Sequence, residues 1–362
     1  MKFKTLLAGL MVIVALSGCG GNQTGTTNTA ENAGGDTSTT GAAASNNGQA
    51  GETEASGVSG KLAFYTSQPE EDVTKLVDAF NSRYPDVEVE TFRSGTEEVI
   101  AKVMAEKQAG KVQADVLLVA DAVTFEGLKK ADMLLKYESP ERASIPEEMA
   151  DPDGMYTGTK VMATALVYNT AAVQEAPVSW SVLTAPENKD QAIMPSPVYS
   201  GAAAYNVGVL SRSEDFGWSF FEQLKENGMT VIKGNGAVIK AVAAGEKSYG
   251  MVVDFLAVRE KQKGSPVELV YPEEGVPVIT EPIGIMKETK NEAAAQAFVD
   301  FVLSEEGQKL AAETGYTPVR EGIAAPEGLK TVSEMKVLSG DIAVLTEARE
   351  EDKKAFISLF GE

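Results

Sequence analysis

The sequence predicts an α/β fold with two domains. Short apolar runs of strand length alternate with longer segments in which apolar residues recur every three or four positions, the spacing of an amphipathic helix. Strands that alternate with helices favour a parallel sheet covered by helices. The run 115–120 is apolar almost throughout, as expected for a central strand covered on both faces. About 300 residues follow position 60, which exceeds one usual hydrophobic core and therefore indicates two domains.

The predicted elements follow one another in a regular order. In the first half, the predicted strands are 61–65, 87–92 and 115–120, with helices at 70–84 and 97–108 between them. In the second half, apolar runs predict strands at 161–168, 192–194, 249–253 and 282–286. Periodic segments there predict helices at 213–227, 235–245, 291–314 and 341–360.

Three turns on one predicted sheet edge carry candidate binding residues. They follow the first three strands, at 66–68, 93–96 and 121–124, and ligands of open α/β sheets sit beyond the carboxyl ends of the strands. A hydroxyl at a helix start is also typical of a plain N-cap, so each turn alone has that simpler interpretation. Three such turns on one edge favour a binding face. The candidates are Thr66, Ser67, Ser94, Gly95 and Thr96.

The stretch 196–210 predicts a further helix start of the same kind. Pro197 lacks a backbone donor, Ser200 is a favourable N-cap, and Gly201 lets another group approach the backbone closely. Small residues from Ala202 onward suit a helix. The first N–H groups of a helix are unpaired and carry partial positive charge, so this turn suits an anion. An ordinary capped helix is the alternative interpretation.

The N-terminal segment has the pattern of a bacterial lipoprotein signal. Two lysines precede the apolar run 6–16, which is too short to span a bilayer, and small residues directly precede Cys19. We therefore expect residues 1–18 to be a signal peptide and Cys19 to carry a lipid. Residues 19–60 consist mainly of Gly, Ser, Thr, Asn and Ala and are expected to form a flexible tether. The expected location is extracytoplasmic, lipid-anchored to the cell membrane.

The composition excludes several classes of protein. The chain carries 53 acidic and 32 basic residues, a formal net charge of −21, which is unsuited to nucleic acid or an anionic membrane surface. An anionic small ligand stays compatible, because pockets use local donors and helix ends. The absence of His excludes Ser-His-Asp and Cys-His catalysis and removes the commonest zinc ligand. The S-x-x-K string at 333–336 lacks its S-D-N and K-T-G companions, so we expect no enzyme, and no metal or cofactor.

The chain resembles the extracellular solute-binding proteins of bacterial ABC importers, in the branch that takes ferric iron, phosphonates and sugar phosphates. The resemblance covers 61–362. It rests on a series of short segments in order, namely Tyr168-Asn-Thr170, Ser179-Trp-Ser-Val-Leu183, Ser196-Pro-Val-Tyr-Ser-Gly-Ala202, Val242-Ala-Ala-Gly-Glu246, Asn291-Glu-Ala-Ala and Phe298-Val-Asp-Phe-Val-Leu-Ser-Glu-Glu-Gly-Gln308.

The resemblance implies a type II periplasmic-binding-protein fold, in which two α/β lobes joined by two crossing strands close over a ligand. By that pattern lobe 1 comprises 61–165 and 284–362, and lobe 2 comprises 166–283. The crossings should fall near 162–169 and 281–286. The implied partners are a small anionic solute and the cognate ABC permease and ATPase, and we expect a monomer.

The resemblance leaves the ligand open between ferric ion and a phosphorylated solute. Ferric members carry adjacent tyrosines just after the strand that ends here at Asp254, where this chain has Phe255 and Leu256. These side chains supply no phenolate oxygen, while Tyr199 and Tyr205 lie on a different element. A polyamine or thiamine-type ligand would leave the hydroxyl-rich helix starts unexplained. A small phosphorylated or phosphonate solute is the preferred hypothesis, with ferric ion and the polyamine or thiamine type as alternatives.

Two acidic residues complete the predicted site. In similar sugar-phosphate and aminoethylphosphonate binders, acidic residues near the positions of Asp254 and Glu281 take hydroxyls or an ammonium. We therefore expect both to face the end of the solute away from its phosphate. The alternatives are an N-cap of the helix 255–261 for Asp254 and an exposed hinge carboxylate for Glu281. Arg93 would either pair with the phosphate or point to solvent.

Overall fold

The computed structural model describes residues 57–361, all within one compact unit. The predicted signal peptide, Cys19 and nearly all of the expected tether lie outside the described residues. Within residues 57–361, no helix combines the length and apolar character needed to cross a membrane.

The strands and helices alternate through most of the described chain. The strands are β1 (Gly60–Thr66), β2 (Val87–Arg93), β3 (Val116–Leu118), β4 (Leu134–Leu135), β5 (Thr157–Asn169), β6 (Ala192–Pro195), β7 (Thr230–Ile232), β8 (Tyr249–Val253), β9 (Val267–Val270), β10 (Val276–Met286), β11 (Thr317–Pro318) and β12 (Val337–Leu338). The α-helices are α1 (Glu70–Arg83), α2 (Thr96–Gln108), α3 (Ala122–Lys130), α4 (Gly201–Arg212), α5 (Gly217–Glu226), α6 (Asn235–Ala243), α7 (Asp254–Gln262), α8 (Glu292–Leu303), α9 (Glu305–Glu313) and α10 (Ile342–Phe360). Short 3₁₀ turns lie at Pro140–Ser144, Glu147–Met149, Trp180–Leu183, Pro186–Asn188 and Val332–Glu334.

The strands form one mixed sheet. Its main path runs β2–β1–β3–β10–β5–β8–β6–β7. On one side β1 pairs in parallel with β2 and β3, and on the other β6 pairs in parallel with β7 and β8. In the middle, β10 and β5 pair antiparallel with each other and with their outer neighbours β3 and β8. The predicted parallel packing is therefore present on both sides, and two long antiparallel strands join them.

The two joining strands are longer than the sequence predicts. All thirteen residues of β5 are buried, and the strand passes from pairing with β10 at Ala163 to pairing with β8 at Thr164. The expected crossing 162–169 is thus its second half. Strand β10 begins at Val276 and contains an irregularity between Thr280 and Pro282. Its prolines and buried Glu281 interrupt the apolar run, which is why the sequence predicts only the end of this strand.

One predicted helix is two helices in the structure. The interval 291–314 breaks at Ser304, which ends α8 and begins α9. The Ser304 hydroxyl accepts a hydrogen bond from the Gly307 backbone N–H at 3.1 Å, as an N-cap does. The apolar periodicity continues across the break, so the pattern alone gives no sign of it.

The C-terminal helix α10 packs against both sides of the molecule. It lies against α3 and also against α4 and α5. Arg349 pairs with Glu97 at 2.7 Å and with Asp121 at 3.1 Å, while Asp352 pairs with Arg212 at 2.7 Å. Because one helix contacts elements expected in both lobes, the lobe boundaries stay a prediction.

Candidate functional site

A cavity of about 800 Å³ lies between the two sides of the sheet. The ends of several helices form its wall. Gly95 and Thr96 line it at the start of α2, and Ser200 and Gly201 line it at the start of α4. The start of α6 also lines it, with residues 234–236. The start of α1, the exposed side of α7 and Tyr316, which follows α9, complete the wall.

Seven of the ten predicted binding residues line this cavity. They are Ser67, Gly95, Thr96, Ser200, Gly201, Ala202 and Glu281. Most of the wall residues that come from the hydroxyl-bearing turns were therefore identified from the sequence.

Three predicted residues, Thr66, Ser94 and Asp254, lie outside the cavity wall. The fully buried Thr66 hydroxyl donates to the Leu118 carbonyl at 2.7 Å. The Ser94 hydroxyl donates to the carboxylate of Glu98. The Asp254 carboxylate, which is also buried, accepts hydrogen bonds from the Tyr271 hydroxyl at 3.1 Å and from the following backbone N–H at 2.9 Å. Each side chain thus has a structural partner.

Asp254 is the first residue of α7 rather than its N-cap. Its N-cap position is Val253, so the capping alternative does not describe it. Burial raises the pKa of the Asp254 carboxyl to about 7, since the apolar surroundings disfavour the charged form. The hydrogen bond from Tyr271 opposes this shift only in part.

The starts of α2 and α4 contact each other across the cavity. The Glu97 backbone N–H donates to the Tyr199 carbonyl at 3.3 Å. A methyl group added at Gly95 would lie 2.5 Å from that same carbonyl oxygen. A methyl group at Gly201 would lie 2.8 Å from the Ala120 carbonyl and 2.9 Å from Cβ of Thr96. Both glycines are therefore required for the close approach of these turns.

Hydroxyl and amide groups gather where these turns meet. The Thr96 hydroxyl donates to the Ser67 hydroxyl at 3.0 Å, and Ser67 in turn accepts the Ala120 N–H at 3.4 Å. The Ser200 hydroxyl caps α4 by accepting the Ala203 N–H at 3.3 Å, so the capping interpretation holds for it. It also accepts a hydrogen bond from Asn235 at 3.1 Å. The hydroxyls of Ser67, Thr96 and Ser200 and the amide of Asn235 are therefore joined by hydrogen bonds or lie side by side where these turns meet.

Sequence reasoning missed the third helix start, that of α6. Gly234, Asn235 and Gly236 line the cavity, and the Asn235 side chain also accepts the Val253 N–H at 3.2 Å. Gly234 is the N-cap, has no side-chain cap and packs against the ring of Tyr199. The Gly-Asn-Gly string at 234–236 was the available signal, because such small residues let a ligand approach a helix start.

Basic side chains slightly outnumber acidic ones in the cavity wall, although the whole chain is strongly acidic. The six basic residues are Lys75, Arg93, Lys233, Lys240, Arg259 and Lys263, and the five acidic ones are Glu71, Asp72, Glu260, Glu281 and Glu313. The wall is therefore locally more positive than a chain of net charge −21 would suggest. Arg93 lines the cavity, and its Nε donates to the Gln68 carbonyl at 2.7 Å. Its side chain therefore lies along the cavity wall.

Glu281 is a buried member of an ion pair and not an exposed hinge carboxylate. Its side chain and that of Lys160 are each 5% exposed, and Lys160 Nζ lies 2.9 Å from Glu281 Oε2. Gln68 Nε2 donates to the same oxygen at 3.0 Å. The Lys160 ammonium also lies 4.5 Å from the ring centroid of Tyr316. The alternative of an exposed hinge carboxylate is therefore wrong, and Glu281 is buried and compensated by Lys160.

A second ion pair lies beside the first. Arg259 Nη1 is 2.9 Å from Asp72 Oδ2, and the Tyr316 hydroxyl donates to that oxygen at 2.6 Å. The guanidinium carbon of Arg259 lies 4.6 Å from the ring centroid of Phe255 and 4.8 Å from that of Tyr316. Burial raises the pKa of the Tyr316 phenol well above its ordinary value, so it stays protonated at neutral pH.

Carboxylates and phenols are the side chains that could offer oxygen ligands to a metal ion near the cavity. Within 57–361, no group of three or more His, Cys, Asp or Glu side chains is arranged to hold one. Tyr205 does not line the cavity, and burial raises the pKa of its phenol to about 12. Tyr316 lines the cavity but its hydroxyl donates a hydrogen bond to Asp72, and Tyr199 also lines the cavity.

Comparison with known proteins identifies the family. The family model for bacterial extracellular solute-binding proteins matches residues 75–337. The chain belongs to this family. It is therefore a substrate-binding protein of an ABC importer, a transport component and not an enzyme, which confirms the predicted resemblance.

Individual relatives are similar along most of the chain. A protein of Haemophilus influenzae without a functional name is 30% identical over 270 residues, covering 71% of this chain and 76% of its own. The Fe(3+)-binding periplasmic protein of Serratia marcescens is 24% identical over 281 residues, covering 75% and 82%. The structure of the periplasmic binding protein AfuA from Actinobacillus pleuropneumoniae, with fructose-6-phosphate bound, superposes with a TM-score of 0.77 at 23% identity, covering 83% of this chain and 98% of that one. The two-lobed fold is thereby confirmed.

Proposed function

We propose that this substrate-binding protein captures a small phosphorylated or phosphonate solute in the cavity between its lobes and delivers it to its permease and ATPase. The observation that carries the proposal is the meeting of three helix starts, those of α2, α4 and α6, at one cavity with a surplus of basic side chains. Unpaired N–H groups at helix starts, hydroxyls and nearby cations are the usual partners of a phosphate.

The strength of such a site is adequate for uptake. A hydrogen bond to a charged group contributes about 1.5–3 kcal/mol, and a helix terminus adds up to ~2 kcal/mol. Four such hydrogen bonds, after the cost of ordering the ligand, suffice for a micromolar complex of about −8.2 kcal/mol. We assign the contacts with the phosphate to Ser67, Thr96, Ser200, Gly201 and Asn235.

Ferric ion is the competing ligand because the Serratia marcescens relative is named for it. The position of the paired tyrosines is occupied here by Phe255 and Leu256, both in the cavity wall. The Tyr316 hydroxyl donates a hydrogen bond to Asp72, and burial holds the phenol in its neutral form. A titration with ferric citrate should therefore give no phenolate charge-transfer band in the visible spectrum. Appearance of that band would favour the ferric reading.

Location is the second part of the proposal. We propose that the mature protein is held outside the cytoplasm by a lipid on Cys19, with the tether 19–60 between the lipid and the folded part. The lipoprotein signal pattern in the sequence supports this.

Calorimetry tests the anion assignment. Wild-type protein is titrated with glucose 6-phosphate, 2-aminoethylphosphonate and inorganic phosphate, and binding of at least one is expected. Ser200→Ala should weaken that binding by roughly tenfold to a hundredfold, because it removes one hydroxyl from the anion site.

The matched control is Ser304→Ala. Ser304 is also a helix N-cap, and its hydroxyl accepts the Gly307 N–H, but it lies outside the cavity wall. Each variant loses a cap worth ~1 kcal/mol of stability, while only Ser200→Ala should lose ligand affinity. If no phosphate compound binds, or if the two variants bind equally well, the anion assignment is wrong.

A further inference from the structure

The cavity wall contains two buried carboxylates, and each is already compensated by a cation of the chain. Glu281 is paired with Lys160 at 2.9 Å, and Asp72 is paired with Arg259 at 2.9 Å. The remaining acidic residues of the wall are less deeply placed, on the exposed parts of helices. Neither buried carboxylate therefore offers an uncompensated negative charge to a ligand.

Lys160 lies behind the cavity wall. It lies on β5, opposite Pro318 of β11. Its side chain lines a separate small cavity of about 30 Å³ next to the main cavity, but it is not part of the wall of the main cavity. Only 5% of its side chain is exposed, so solvent screens its charge poorly. Its ammonium is fixed between Glu281 and the ring of Tyr316.

This arrangement differs from the one expected from sequence, in which Asp254 and Glu281 face an ammonium of the solute. Asp254 lies outside the wall, and Glu281 shares its charge with Lys160. A ligand ammonium entering here loses its hydration and meets a neutral ion pair with a fixed ammonium close by. A ligand hydroxyl costs much less to desolvate and still donates to the carboxylate.

We propose that Lys160 is a specificity-determining residue, which excludes solutes with an ammonium group by neutralising Glu281 and so selects phosphorylated compounds whose other end carries uncharged hydroxyls. The inference rests on the proposed function, because it concerns the end of the solute that lies away from the phosphate.

Two matched probe pairs test it in the full-length protein. Each pair differs in one group, hydroxyl against ammonium: 2-hydroxyethylphosphonate against 2-aminoethylphosphonate, and glucose 6-phosphate against glucosamine 6-phosphate. In wild type, the hydroxyl member of at least one pair should bind about tenfold or more tightly, the ratio that corresponds to one charge-assisted contact.

Lys160→Met should shrink or invert this ratio, because Glu281 then presents its full charge, and Lys160→Arg should preserve it. A purely structural role of Lys160 would weaken both members of a pair alike and leave their ratio unchanged. The control is Lys129→Met, which also removes the partner of a buried carboxylate, Asp151 at 2.6 Å, but this carboxylate, unlike Glu281, lies outside the cavity wall. That control should keep the wild-type ratio.

A second variant keeps the test decisive if Lys160→Met does not fold, since an unpaired buried carboxylate is strongly destabilising. Glu281→Gln leaves Lys160 in place and should make the preference for the hydroxyl member larger still. Equal binding of both members of each pair by wild type, or an unchanged ratio in Lys160→Met or in Glu281→Gln, overturns this inference alone. Failure of all four probes and of inorganic phosphate to bind overturns the proposed function and this inference with it.

Discussion

Gly95→Ala should hinder closure of the two lobes without disturbing either lobe by itself. Gly95 has an extended backbone conformation, with φ −67° and ψ 155°, that alanine adopts freely. The three atoms nearest to the new methyl group all belong to Tyr199 across the cavity, whose carbonyl oxygen would lie 2.5 Å away. The substitution therefore acts on the contact between the two sides and not on the fold of one side.

The magnitude follows from that contact. An ordinary van der Waals distance begins near 3.4 Å, so the two turns must separate by 3.4 − 2.5 = 0.9 Å. That separation breaks the hydrogen bond from Glu97 to Tyr199, worth about 0.5–1.5 kcal/mol, and overpacking adds roughly 1–3 kcal/mol. If only the closed form holds the solute tightly, affinity should fall by about 1.5–4.5 kcal/mol, or roughly 10- to 2000-fold.

Calorimetry with whichever phosphate compound binds wild type measures the affinity, and small-angle scattering with and without that compound measures closure. The control is Gly127→Ala in α3, where an added methyl group meets no atom within 4 Å and which lies away from the cavity. It should bind normally and be up to ~1 kcal/mol more stable. Unchanged affinity and normal closure of Gly95→Ala would refute the reasoning.

Two further predictions concern stability and location. The folded-state pKa of Asp254, about 7, lies above its unfolded value, so the stability it contributes is full below about pH 4 and is lost as pH rises through about 7. Asp254→Asn should flatten the pH dependence of the free energy of unfolding over that window by up to about 4 kcal/mol, measured by urea unfolding, and parallel curves for the two proteins would contradict this. Cys19→Ala should appear in the soluble fraction of cells while the purified protein binds its ligand normally. Retention of that variant in the membrane fraction would show that the lipid is not the anchor.

The sequence predicts the order of the elements well because their signals are local. Strand β8 is found at its predicted bounds, and β1, β2 and α10 within a residue or two. The errors arise where tertiary contacts override the local pattern. The break at Ser304 and the long strand β10, which holds a buried glutamate, are examples, since pairing with β5 and β3 and not hydropathy defines that strand.

The site was predictable to the extent that it consists of helix starts. Ser200, Gly201 and Thr96 follow from capping chemistry and sheet topology, and all three line the cavity. The ion pairing of the acidic residues was not predictable, because their basic partners lie far away in sequence. Lys160 and Glu281 are separated by 121 positions, and Asp72 and Arg259 by 187. A carboxylate seen alone in sequence appears available, whereas in the fold it is already paired.

The net charge and the cavity act on an anionic solute at different distances. A chain of net charge −21 repels an anion, but salt at physiological strength screens that repulsion beyond about 8 Å. Within that distance the solute meets the helix starts and the basic side chains of the wall. The starts of α2 and α4 are buried, which shields them from solvent. Rising ionic strength should therefore speed association by weakening the repulsion, while it affects the buried contacts less. On the proposed function, an acidic protein can serve as an anion receptor because affinity depends on the cavity wall, and net charge mainly affects how fast the solute arrives.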